Sequence, residues 1–177
     1  MKKVIFLFFF TVQYFVNYSQ VPPKPDLEGY VYGFIPSSSS LVKLEKTKST
    51  QKAKTGMSSL EFSYLIEGKK ASVRIKHSDN PTFVISIDGG AEIQSLFPLF
   101  KAEVKKDSRT AVSQGSKRGK LIGDKNLVQY SVRKVSPGVI ELVLDSPLTP
   151  GEYFFVSEGS VGLSSGATKI VYAFGVD

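Results

Sequence analysis

The chain of 177 residues contains no cysteine and no tryptophan, and its one histidine is His77. Without cysteine there is no disulfide framework, no thiolate zinc site, no thiol nucleophile and no cysteine to carry an N-terminal lipid. With one imidazole, every histidine-dependent mechanism runs through His77 or does not operate. An unbroken apolar run of the about 20 residues that a membrane-spanning helix needs is also missing. What remains is a globular composition, 41% hydrophobic and 22% charged, of a size for one domain.

The most apolar segment opens the chain. Lys2 and Lys3 precede Val4 to Val12, Gln13 interrupts the run, Tyr14 to Val16 extend it, and Asn17 and Ser19 follow. A charged, then apolar, then small and polar order is that of a secretory signal peptide. Cleavage is expected between Ser19 and Gln20. The expected organisation is therefore a signal peptide over 1–19, a proline-rich leader over 20–28 and a single domain over 29–177. The destination is the periplasm, the outer surface or the medium, with no membrane span after cleavage. Loss of Lys2 and Lys3 lowers the formal net charge of +7 by two.

In the leader, Val21 to Asp26 carries Pro22, Pro23 and Pro25, which favour an extended linker over helix or ladder. Beyond it the dominant period is two. Phe62, Tyr64 and Ile66 alternate with Glu61, Ser63 and Leu65, and Val128, Tyr130 and Val132 alternate with Gln129, Ser131 and Arg133; Val73 and Ile75 do so more briefly. Such alternation marks strands with one buried face. Residues 30–34, 42–44, 82–87, 139–144, 152–156 and 170–174 read as further strands, the last two apolar on both faces and therefore central. Asp88-Gly89-Gly90, Ser136-Pro137-Gly138, Thr149-Pro150-Gly151 and the Gly/Ser stretch 159–166 supply the turns. Ile93, Leu96 and Phe97 have helical spacing, but Pro98 stops it, so a helical turn followed by a strand is expected. Nine or ten short strands predict an all-β antiparallel sandwich, immunoglobulin-like or jelly-roll-like, with a small closed barrel as the alternative.

Charge is uneven. Lys101 to Lys134 hold ten Lys/Arg against three acids, whereas from Pro137 onward Lys169 is the only base against five acids. Lys117, Arg118, Lys120 and Lys125 cluster in a glycine-containing loop and are the candidate anion-binding residues, for a glycan or a lipid headgroup. Solvation of an exported protein is the plainer reading of the same loop. Nucleic acid is disfavoured, because no aromatic lies between Ser113 and Asn126 to stack on bases.

Chemical motifs are weak. Gly162-Leu163-Ser164-Ser165-Gly166 matches a nucleophile elbow, but no histidine lies downstream and too few residues follow to form its helix. His77-Ser78-Asp79 has triad residue types, but neighbours on one strand end do not converge. Gly115 to Lys120 lacks the first glycine and the final hydroxyl of a phosphate-cradling loop. Glu141, Asp145, Glu152 and Glu158 are the acids from which a glycosidase pair would be drawn. No calcium-loop pattern is present. Tyr30 and Tyr32 could stack on a sugar, or simply fill a tyrosine-rich strand.

Arg109 in KKDSRTAV, the run from Val132 into PGVIEL, then Pro147 to Tyr153 with Phe155, and the closing Tyr172-Ala173-Phe174-Gly175-Val176-Asp177 resemble a group of exported bacterial proteins. Their C-terminal pattern is P-L-x-P-G-E-Y-x-F followed by F-G-[IV]-D. The resemblance spans about residues 60–177 and implies a shared all-β domain with no activity attached. Arg109, Gly151, Glu152, Tyr153, Phe174, Gly175 and Asp177 become the candidate structural residues. On physical grounds Asp177 would meet Arg109 or another base of the cationic stretch.

The combined expectation is a non-enzymatic module of the cell envelope or exterior, without catalytic residues, metal or cofactor, that binds an envelope protein or an anionic surface polymer. The opposing readings are a small secreted hydrolase using carboxylates and a structural envelope subunit that pairs through an edge strand.

Overall fold

The computed structural model describes residues 20–87, 93–117, 120–122, 126–157 and 166–177; the expected signal peptide lies outside them. The chain is all-β, and its larger sheet closes on itself. Six antiparallel strands form the ring: β3 (Glu45–Gly56), β4 (Ser59–Glu67), β8 (Ser108–Lys117), β7 (Leu99–Lys105), β13 (Gly151–Ser157) and β14 (Thr168–Val176), which returns to β3. The closed barrel, expected only as the alternative, is thus the central body. Short strands lengthen it: β5 (Arg74–Ile75) runs parallel to the end of β14, β9 (Lys120–Ile122) pairs with β8, and β10 (Leu127–Val128) pairs with β7.

A second, five-stranded antiparallel sheet has the order β11 (Tyr130–Ser136), β12 (Val139–Leu144), β6 (Thr82–Ser86), β1 (Val31–Ile35) and β2 (Ser40–Lys43). It lies on the outer wall made by β13 and β14, so the two-layer packing of a sandwich holds at this wall. The alternation of side chains across a strand makes the arrangement possible. In β13, Phe154 and Val156 point into the barrel while Tyr153 and Phe155 point to the second sheet; in β14, Val171 and Ala173 point in while Tyr172 and Phe174 point out. This is why both strands are apolar on both faces, as expected of central strands. Phe83 of β6 touches Phe155 and Phe174 with ring centroids 4.9 Å away in each case. Tyr30, just before β1, packs on Tyr172 at 4.6 Å and donates its hydroxyl to the Leu44 carbonyl, so Tyr30 and Tyr32 are core residues rather than a sugar platform.

The segment expected to switch from helical turn to strand does so, as α1 (Ile93–Leu96) followed by β7. The single strand read over 128–133 is instead two, β10 on the barrel and β11 on the second sheet, with Gln129 between them. The leader rests on the domain rather than hanging free: Pro22 and Pro25 are buried, and Ser39 Oγ donates to Gln20 Oε1 at 2.6 Å.

Candidate functional site

The two C-terminal motifs meet at one end of the barrel and form an ion network there. Glu152 opens β13 and faces inward, opposite Gly175 of β14. Its Oε1 accepts from Arg74 Nη1, and its Oε2 accepts the Ala71 amide at 2.8 Å and stands 3.7 Å from Arg109 Nη1. Arg109, 2% exposed, also donates through Nη2 to Glu45 Oε1 at 3.2 Å and through Nε to the Gly68 carbonyl at 3.2 Å. Glu45 in turn accepts the Ser72 amide. Burial alone would raise the Glu45 pKa, but the hydrogen bonds from Ser72 and the Arg109 charge outweigh it and hold this carboxyl below its ordinary value. The strap 68–75 therefore closes the barrel end with its own amides and carbonyls.

Asp177 completes the network from outside, and here the expected pairing is corrected. Its carboxylate accepts from Arg74 Nε at 3.0 Å and from Arg74 Nη2, whereas Arg109 is occupied by Glu45 and Glu152. Arg109 is buried inside the barrel end and Asp177 lies on its surface, so the two do not meet. The hydrogen bond from Arg74 lowers the Asp177 pKa and raises that of Arg74 itself. Gly175 has a specific part: a Cβ there would fall 1.6 Å from Arg74 Nη1, so only glycine lets the guanidinium lie flat on β14. Gly151 adopts φ +153° at the turn, Tyr153 donates its hydroxyl to the Thr149 carbonyl at 2.7 Å, and its ring stacks on Phe174 at 5.5 Å.

The other singled-out side chains are also engaged. His77 sits on a short turn, His77–Asp79, and its Nδ1 donates to the Leu148 carbonyl at 2.7 Å. Glu141 of β12 is buried, accepts from Thr82 Oγ1 at 2.7 Å and pairs with Arg133. Asp145 accepts from Ser131 Oγ at 2.8 Å. Glu158 and the G-x-S-x-G serines lie outside the described residues. So do Arg118 and Lys125, while Lys117 and Lys120 are described only as backbone positions of the β8–β9 hairpin. Among the described residues no cluster of three or more His, Asp or Glu is arranged to hold a metal ion. A cleft of about 200 Å³ opens between Ser95, Pro98, Leu127 and Tyr130.

One basic feature was not anticipated from sequence. Strand β3 turns Glu45, Thr47, Ser49 and Gln51 inward, which leaves Lys46, Lys48, Lys52 and Lys54 exposed in a row on its outer face, interrupted only by Thr50. None of the four lysines forms an ion pair among the described residues. The signal was present in KTKSTQKAK as lysines two apart, but the inward positions are polar too, so no apolar period announced a strand. Comparison with protein-family models, with curated proteins and with solved structures finds no match for the chain.

Proposed function

We propose that the protein is an exported, non-enzymatic binding module that holds an anionic partner on its basic surface. The observation that supports this most directly is how the charged groups are divided. Glu45, Glu141, Glu152 and Asp177 are tied to arginines, and His77 to a carbonyl, in contacts that close the fold, whereas the lysines of β3 stand in solvent. Exposed cations without acidic partners raise the local concentration of anions and steer them on encounter. Glu141 and Glu152 are 2% and 4% exposed and tied to arginines, and among the described residues none of the candidate acids lines the cleft at Tyr130, so that cleft lends the carboxylate-hydrolase reading no support. The edge-strand reading keeps one supporting feature: β1 itself is paired on both sides by β2 and β6, but β2 beside it and β11 are the edges of the second sheet.

Export rests on the order of charge and apolarity in residues 1–19, and intact mass of the purified product of the full chain tests it: a species lacking 1–19 is expected. Retention on immobilised heparin tests the binding reading. The protein should be held at low salt and released as salt screens the contacts, which fade beyond about 10 Å at 0.1 M ionic strength. Passage straight through at low salt would overturn it.

A further inference from the structure

Resting on that reading, we propose that the site is the outer face of β3 and that its ligand is a linear polyanion lying along the strand. Residues two apart on a strand are about 6.7 Å apart, so Lys46, Lys48, Lys52 and Lys54 form a line about 27 Å long. The line is bordered by little negative charge. Across β14 the directly paired residues are Tyr172, Ile170 and Thr168, and across β4 they are Leu65, Ser63 and Glu61. Glu61, opposite Lys54, is the one carboxylate among them. At the other end, Lys43 and Lys46 both approach the Tyr30 ring, with ammoniums 5.0 and 5.8 Å from its centroid.

The geometry favours a chain over a surface. A membrane presents headgroups in a plane and would call on bases spread over neighbouring strands, whereas here the neighbouring outer positions are mostly neutral. The row stands on a closed barrel wall, so no loop has to be ordered when the ligand lands, and that entropy cost of binding is avoided. Any linear polymer with repeated sulfate or phosphate groups presents the matching chemistry.

The test uses the purified product of the full chain, size-graded heparin oligosaccharides, and vesicles containing anionic lipid. Two variants are compared with wild type: Lys46, Lys48, Lys52 and Lys54 replaced by Gln, and Lys117, Arg118, Lys120 and Lys125 replaced by Gln. The first set is exposed, so circular dichroism and the melting profile should stay as in wild type. Wild-type affinity should rise with oligosaccharide length up to about 27 Å and then level off. It should also fall about a hundredfold over a fourfold rise in salt, if four cations each release a counterion. The β3 variant should lose that length and salt dependence, and the loop variant should keep both. Loss in the loop variant with retention in the β3 variant overturns the inference and leaves the binding reading standing. Vesicle binding that outcompetes the longest oligosaccharide overturns the linear ligand. Failure of wild type to bind any probe at low salt overturns the binding reading itself.

Discussion

Arg109 shows how a single residue organises the barrel end. It is the largest of the fully buried side chains, and its charge is acceptable only because Glu45, Glu152 and the Gly68 carbonyl surround it. Removing one member of a buried pair strands the other charges, which costs about 3–5 kcal/mol. Arg109→Ala should therefore lower the unfolding free energy by that amount, read as a lower urea midpoint at an unchanged slope of the transition. Gly175→Ala makes a sharper test, because its harm acts through a second residue. The new methyl must displace the Arg74 guanidinium and so break its contacts with Glu152 and Asp177. In an Arg74→Ala background the same change should cost little, and a double-mutant cycle on thermal unfolding should read a coupling of about 0.5–3 kcal/mol. Additive effects would mean that the glycine matters for another reason. Glu45 adds a pH signature. Its folded pKa lies below the ordinary 4.5, so its share of stability is fully present above that value and is lost as pH falls through the folded pKa. Glu45→Gln should therefore lower stability at neutral pH and flatten the acid limb, with the two proteins converging below the folded pKa, where wild type has already lost this contribution.

Elements differ in how far the sequence announces them, and the reason is which face each one buries. β12 was legible to the residue and β13 nearly so, because each is a nearly continuous apolar run with a single acid, Glu141 in one and Glu152 in the other. The antiparallel pairing of β13 with β14 was legible from the two apolar runs, and the bend at Thr149-Pro150-Gly151 from turn chemistry; the Gly/Ser stretch 159–165 lies outside the described residues. β3, twelve residues long, was not, since it fills the barrel with Thr47, Ser49 and Gln51 and draws its stability from ladders to β14 and β4 rather than from its own apolar surface. Closure was hidden for the same reason: the ring needs β3, and β3 carries no hydrophobic signal. The site followed suit. The basic loop stood out by composition, whereas the lysine row emerges only once β3 is known to be extended. The motif residues Glu152, Gly175 and Asp177 were found, but their partner Arg74 was missed because it lies on the two-residue strand β5. The strap carrying that strand can be tested as an element. The Ala71 amide donates to the buried Glu152 carboxylate, so it should exchange hydrogen as slowly as the barrel strands although it lies in no long ladder, while the Ser72 amide, held by the partly exposed Glu45, should be protected less. Exchange at the rate of an open loop would show that the barrel end is not closed in solution.

On the scale of the molecule, the barrel and the second sheet share one apolar layer, and that sharing decides how the protein unfolds. Phe83, Leu142 and Ile85 of the second sheet belong to the same buried cluster as Tyr153, Phe155, Tyr172 and Phe174 of the barrel wall. The barrel interior, with Phe100, Phe154, Tyr64 and Val171, is a separate cluster on the far side of the same two strands. Because β13 and β14 supply both clusters, losing the second sheet would expose one full face of the strands that hold the ring together. The two layers should therefore unfold in a single transition. With no tryptophan, tyrosine fluorescence reports this well: Tyr30, Tyr130, Tyr153 and Tyr172 sit in the shared layer and Tyr64 inside the barrel. Fluorescence and far-ultraviolet circular dichroism should give coincident urea curves. Phe83→Ala, which removes the ring between Phe155 and Phe174, should shift both together by about 3–5 kcal/mol. If the fluorescence curve instead splits, with part of the strand signal surviving at higher urea, the barrel stands alone and the second sheet is an accessory laid upon it.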